Sequence, residues 1–271
     1  TVSRINGDRM SRVIAVFNQA GGVGKTTVAQ NLGYHLANRG HKTLLIDMDP
    51  QASLTAFMGV NTRTLKLSVY NSLIAEEEGE SPIALPIIND LYGTDLCPAN
   101  LNLAKAEQQL VLEELREFRL KDAIAPFLET YDFIIIDCPP SLGILSVISL
   151  VAATHVLVPI QTQFKALMGT DLLLGTTKKV QKRLNKNLKL AGFLPTMFAS
   201  STAMDQQTLF DIKEQLAAIA PVFAPLPRAT AFAEATKALK PFGAYIGSNK
   251  KGNNGAILKI FDEVAEAMEK L

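Results

Sequence analysis

The chain has 271 residues, 48% of them hydrophobic and 20% charged, which is enough for one large α/β domain with a sizeable core. A net charge of +1 excludes global attraction to nucleic acid or to an anionic membrane, so an anionic partner must be met by a local patch. The two cysteines, Cys97 and Cys138, lack metal-ligand spacing and point to a reducing cytosol, and no apolar run approaches the roughly 18 residues of a membrane span.

Residues 1–11 are polar, lack the apolar core of a signal peptide and read as a disordered extension, with Met10 as a second start. The apolar run 12–18 reads as a buried strand and leads into NQAGGVGKTT, residues 18–27. The general phosphate-loop pattern G-x-x-x-x-G-K-[ST] is met at Gly24-Lys25-Thr26, while Gln19 stands where the first glycine belongs. Gly21, Gly22 and Gly24 let the backbone wrap an anion, and the following helix, expected over 27–38, turns its free N–H groups toward it. Lys25 can reach β- and γ-phosphates, and the Thr26 hydroxyl can ligate Mg²⁺. A ligand-free glycine turn is the bland alternative, but strand, loop and helix fall in the order the phosphate reading requires.

A second strand, 42–47, ends in LLIDMDPQ with Asp47 and Asp49. EEEGE at 76–80, with Pro82 and Pro86, reads as an exposed loop, and 102–129 as one long helix. The strand FIIID, 133–137, places Asp137 where a Walker-B carboxylate holds Mg²⁺ through water. A lone aspartate at a strand end is usually a turn residue; three beside a Gly-Lys-Thr loop are harder to dismiss. Further strands are expected at 155–160, 189–197 and 222–226, with helices at 170–184, 203–219 and 254–271. Lys178, Lys182 and Lys186 recur every four residues, beside Lys179, Arg183 and Lys189, and Lys237, Lys240, Lys250 and Lys251 follow later. Non-specific DNA binding needs several such cations on one surface, although a solvated helix face is the better reading of the first group. In the last helix, Ile257, Phe261, Val264, Met268 and Leu271 share a stripe. Its outer face is acidic (Asp262, Glu263, Glu266, Glu269), so the stripe is expected to pack on the domain rather than on a membrane.

Apolar strands alternating with helices imply an α/β, doubly wound, mostly parallel sheet with helices on both faces, in a single domain over 12–271. Such a fold binds ligands at the carboxyl ends of its strands.

With these residues the chain resembles the ParA/MinD family of deviant Walker-box ATPases. NQAGGVGKTTVAQNLGYHLANRGHKTLLIDMDPQAS and FIIIDCPPSLG match the family's loop and Walker-B segments, and PIQTQFKALMG, LPTMFAS and PLPRATAFAEATKALKPFG match later ones. The likeness covers residues 12–271 except about 62–89. It implies a slow ATPase that uses ATP and Mg²⁺ and forms an ATP-sandwich homodimer. That dimer binds nucleoid DNA non-specifically in the bacterial cytoplasm, and a ParB-like or McdB-like adaptor that stimulates hydrolysis releases it. By the same likeness Gly21, Gly22, Val23, Gly24, Lys25, Thr26, Thr27, Met197, Pro227 and Arg228 border the nucleotide. Thr26, Asp49 and Asp137 serve the metal, and Asp49 positions the attacking water. Arg228, Lys237 and Lys240 join Lys178, Lys182 and Lys186 as DNA-binding candidates, and Lys240, in the segment that resembles the family's DNA-contacting region, is the stronger candidate.

One position departs from the family. Ala20 stands where a signature lysine reaches across the dimer to the neighbour's nucleotide, a charge worth on the order of 10³–10⁵ in rate. Three explanations stand: a dead or very slow ATPase, an engineered substitution, or a replacement lysine, for which Lys165 is the candidate. Loss of this lysine resembles the carboxysome-positioning McdA branch, which is the expected subfamily, with plasmid or chromosome partition next. Rival classes are a MinD-like membrane-positioning ATPase, an iron protein sharing a cluster through Cys97 and Cys138, and a scaffold that binds ATP without hydrolysing it. The acidic last helix argues against the first, and the surroundings of the two cysteines argue against the second.

Overall fold

The computed structural model describes residues 11–74, 83–247 and 253–271, apart from the side chains of 164–168. The strands are β1 (Arg12–Val16), β2 (Thr43–Asp47), β3 (Ile88–Leu91), β4 (Thr94–Cys97), β5 (Phe133–Asp137), β6 (His155–Gln161) and β7 (Lys189–Thr196). Among the described residues they form a seven-stranded sheet in the order β3-β4-β2-β5-β1-β6-β7. All neighbours run parallel except β3, which is antiparallel to β4 at one edge.

Each central strand is buried on both sides, and alternate residues serve opposite layers. In and after β1, Val13, Ala15 and Phe17 join one core cluster, Ile14 and Val16 the other. The first layer contains α3 (Val69–Leu73), α4 (Leu103–Gln109), α5 (Arg119–Ile124), α6 (Ile144–Ala152), α7 (Phe164–Arg183) and α8 (Ala203–Leu216). The second holds α1 (Lys25–Asn38), α2 (Ser53–Phe57), α9 (Thr230–Lys237), α10 (Phe242–Ile246) and α11 (Asn254–Glu269). Helix α1 lies close on β2 because Gly33 has no side chain: a Cβ there would meet Leu45 Cδ2 at 2.5 Å.

Several expectations need correction. Ser11 belongs to the packed chain rather than to the extension, since it is buried and its hydroxyl donates to the carbonyls of Leu128 and Tyr131. Residues 1–10, the EEEGE loop and Lys250 and Lys251 lie outside the described residues. The helix expected over 102–129 is two short helices, α4 and α5, separated by turns: Leu115 takes a left-handed φ of 52°, which no continuing helix permits. The strand expected at 222–226 reduces to isolated bridges, Phe193 to Val222 and Phe198 to Pro227, because Pro221, Pro225 and Pro227 have no N–H to give a ladder. The β3–β4 hairpin was not expected; Tyr92 and Gly93 turn it with positive φ at both positions, 54° and 81°.

Helix α11 spends its apolar stripe on the core. Ile257, Phe261, Val264 and Met268 are fully buried, and Leu271 at the end is exposed. Polar contacts pin it to α1 and the residues that follow. His35 Nδ1 lies 2.7 Å from Asp262, while Arg39 and His41 both meet the Glu269 carboxylate at 2.7 Å. The Arg39 guanidinium pulls the Glu269 carboxyl down to about 2. Burial lowers the His35 pKa, against the pull of Asp262 and with the help of Arg39. A lowered pKa in the folded state gives stability that is present above the unfolded value of about 6.5 and lost as pH falls through the folded value. His35→Gln is therefore expected to flatten the fall in stability between pH 7 and 5, by at most about 1.4 kcal/mol per pH unit, as read by denaturant titration at several pH values.

Candidate functional site

Parallel register sets the site. Val16 pairs with Asp137 and Asp137 with Asp47, so the exits of β1, β2 and β5 are level at one sheet edge. β1 leads into α1 in one layer and on to β2, whereas its neighbours β5 and β6 lead into α6 and α7 in the other layer, toward the opposite flank, which opens a crevice at the carboxyl ends of the strands.

The 18–24 loop crosses this crevice and is held from outside. Asn18 Nδ2 donates to the Pro159 carbonyl (2.7 Å), and Gln19 Nε2 donates to that of Gly169 in α7 (2.8 Å). Thr196 Oγ1 donates to the Val23 carbonyl (2.9 Å), tying the end of β7 to the loop. Gly22 and Gly24 take φ of 74° and 87°, and a Cβ at Gly21, Gly22 or Gly24 would meet nothing within 4 Å. The loop is thus an open concave backbone that ends at the amino terminus of α1, whose first turn carries no acidic residue. Free N–H groups and the helix dipole make this an anion cradle. Lys25 is buried, with Nζ donating to the Ala20 carbonyl at 2.8 Å across the loop. Burial lowers its pKa, opposed by the charges of Asp137, Cys138 and Asp49. Ala20 itself is exposed, with its N–H bonded to Asn18 Oδ1 at 2.9 Å.

Asp137 is fully buried, and neither carboxylate oxygen has a hydrogen bond of good geometry among the described residues, the Thr26 hydroxyl being the nearby donor. Burial and the charge of Asp47 push its pKa well above the carboxylate range, while the Thr26 hydroxyl and Lys25 act in the other direction. A carboxylate in such a place is costly unless a cation joins it. The residues present fit a hard divalent ion: Asp137, the Thr26 hydroxyl and half-buried Asp49 supply oxygen, with phosphates to complete the shell. No cluster of three or more His, Cys, Asp or Glu that could hold a metal occurs among the described residues. An ion here would therefore depend on its phosphate ligands.

Asp47 is also fully buried, but it is satisfied. It accepts the N–H groups of Asp49 (3.1 Å) and Thr55 (2.9 Å) and the Thr55 hydroxyl (2.7 Å). Burial raises its pKa, and these bonds restrain the rise. Cys97 and Cys138 are buried, and burial pushes both thiols up, so neither is a ready thiolate ligand.

Beside the loop lies a cleft of about 220 Å³ whose walls include Gly24, Thr27, Met197, Pro227, Arg228 and Phe232. All but Phe232 were expected from the sequence. Phe232, the largest apolar wall, lies within PLPRATAFAEATKALKPFG, where its aromatic ring was the available signal. Met197 holds a left-handed φ of 55°, a strained setting where β7 meets the cleft.

Lys165 falls in the first turn of α7, at the same edge as the loop, and its side chain lies outside the described residues. Lys178, Lys182, Lys186, Arg228, Lys237 and Lys240 are all exposed. They do not form one surface. The Leu239 carbonyl, next to Lys240, accepts from Tyr92 in the β3–β4 turn at one flank of the sheet, whereas Lys186 leads into β7 at the other.

The family model described as "AAA domain" matches residues 11–190. The sporulation initiation inhibitor protein Soj of Bacillus subtilis is 40% identical over 205 residues, covering 76% of this chain and 80% of Soj. A Mycobacterium smegmatis structure described as cobyrinic acid a,c-diamide synthase with bound ADP and magnesium is 35% identical, covers 96% of this chain and 95% of its own, and has a TM-score of 0.79. A McdA–ATP complex from Cyanothece has a TM-score of 0.82 over 97% of this chain and 98% of its own, but at 21% identity it shares the fold alone. The matched segment, the Soj relative and the loop with its level carboxylates agree on one assignment: the chain belongs to the ParA/MinD family of AAA-domain proteins, alongside Soj and ParA.

Proposed function

We propose that the protein is a partition ATPase of the ParA/Soj kind that binds ATP with Mg²⁺, self-associates in that state and hydrolyses ATP slowly. The observation that carries this reading is the Asp137 carboxylate, buried without a hydrogen bond of good geometry among the described residues and level with an open glycine cradle. In this reading the backbone of residues 21–27 and Lys25 hold the phosphates, Thr26, Asp49 and Asp137 serve the metal, and Asp49 orients the attacking water. The base enters the cleft walled by Met197, Pro227 and Arg228. The ATP form binds duplex DNA without sequence preference through the flank that carries Lys237 and Lys240, the Lys178, Lys182 and Lys186 group being a separate basic patch at the other flank, and a ParB-like adaptor triggers its release. It works in the bacterial cytoplasm on the nucleoid as a single domain over 12–271. Sequence identity to Soj and ParA favours chromosome or plasmid partition. A role in distributing carboxysomes, with an McdB-like adaptor, rests on Ala20 and on the fold shared with McdA.

Calorimetry of ATP added to the Mg²⁺-loaded protein tests the core of this reading, together with light scattering in ATP and in ADP. Heat of binding and a dimer in ATP are expected; absence of heat refutes it. Lys165→Ala is expected to lower turnover on the order of 10³–10⁵-fold with ATP binding kept, as an arginine-finger-like charge would. Unchanged phosphate release leaves Lys165 a solvated surface lysine.

A further inference from the structure

Thr55 sits at a junction that the proposed chemistry leaves unexplained. It is fully buried in α2, and its hydroxyl acts in two directions: it donates to Asp47 at 2.7 Å and accepts the Ala99 N–H at 2.9 Å. Ala99 closely follows β4, so this contact is anchored to the sheet. On the other side, Asp47 receives the Asp49 N–H at 3.1 Å, and Asp49 in turn closes its own turn by accepting from Gln51 and Ala52 at 2.9 and 2.8 Å. The chain Ala99–Thr55–Asp47–Asp49 therefore runs from a neighbouring strand to the backbone N–H of Asp49, the residue whose half-buried carboxylate accepts from Gln51.

Two features separate this staple from ordinary packing. A fully buried carboxylate is a costly way to hold a turn, and an apolar side chain of similar size would cost less. The hydrogen-bond donors that Asp47 has among the described residues all come from Asp49 and Thr55. The turn it holds also keeps Ala52 at a left-handed φ of 53°, a conformation that a residue with a Cβ adopts only when its surroundings impose it.

We propose that Thr55 is a positioning residue, fixing the Asp49 carboxylate for hydrolysis through Asp47 while taking no part in holding the nucleotide. This rests on the reading of Asp49 as the group that orients water.

The test compares wild type, Thr55→Val and Thr55→Ser in the full chain, by single-turnover phosphate release and by ATP affinity. Valine keeps the shape and removes the hydroxyl. It is expected to slow hydrolysis about 10- to 100-fold, the scale of a misplaced catalytic group, with ATP affinity held within about threefold. Serine retains the oxygen and is expected to restore the rate to within about threefold of wild type. In an Asp49→Ala background the valine change is expected to add little, since the group it positions is gone. Wild-type rates in Thr55→Val overturn the proposal. So does a serine variant as slow as valine, or an undiminished valine effect without Asp49. A wild type that binds ATP but releases no phosphate overturns the ATPase reading itself, and this proposal with it; an active wild type with an active valine variant overturns this proposal alone.

Discussion

Lys25→Ala is expected to weaken nucleotide binding by about 30- to 4,000-fold, and ATP-dependent self-association with it. Lys25 is 6% exposed as a residue, and its ammonium donates across the loop to the Ala20 carbonyl. Truncating one partner of a buried, hydrogen-bonded charge pair costs about 2–5 kcal/mol, which is about 30- to 4,000-fold in affinity. Without nucleotide the same change removes a cation whose burial is unfavourable, so the melting temperature of the free protein is not expected to fall. Calorimetry and thermal melting on the same sample check both halves. Wild-type affinity in this variant would remove the 18–24 loop from the site.

Asp49→Ala is expected to separate binding from turnover. Asp49 is half-buried at the mouth of the crevice, while the phosphate cradle and the buried Asp137 are built without it. Losing a positioned carboxylate that orients and activates water costs about 10²–10⁴-fold in rate. ATP affinity and the ATP-dependent dimer are expected to persist. Phosphate release read beside light scattering checks this, and a variant that stays monomeric at saturating ATP would contradict it.

The readable parts of the fold were those whose residues face one environment throughout. FIIID at β5 is buried at every position, so its apolar run named it to the residue; β1, β2, β6 and β7 came within two residues at each end for the same reason. The β3–β4 hairpin escaped because it lies at the sheet edge in four-residue strands: INDL carries Asn89 and Asp90 outward and has no continuous apolar signature. The 102–129 segment misled in the opposite way. Its apolar residues look like a helix stripe, yet Val111, Leu112 and Leu115 are 62%, 89% and 74% exposed around a left-handed turn. At the site, Gly-Lys-Thr and the strand-end aspartates were legible because local chemistry defines them. The placements of Thr55 and Phe232 were not, because their contacts depend on segments distant in sequence, the end of β4 for one and the end of β7 for the other.

The hydrogen bond from Gln19 to Gly169 makes the glycine loop and the first turns of α7 a single mechanical unit. That helix is 20 residues, about 30 Å from end to end, and its far third carries Lys178, Lys179, Lys182 and Arg183. The loop and these four cations thus sit at opposite ends of one helix, which is joined to the loop through its first turns.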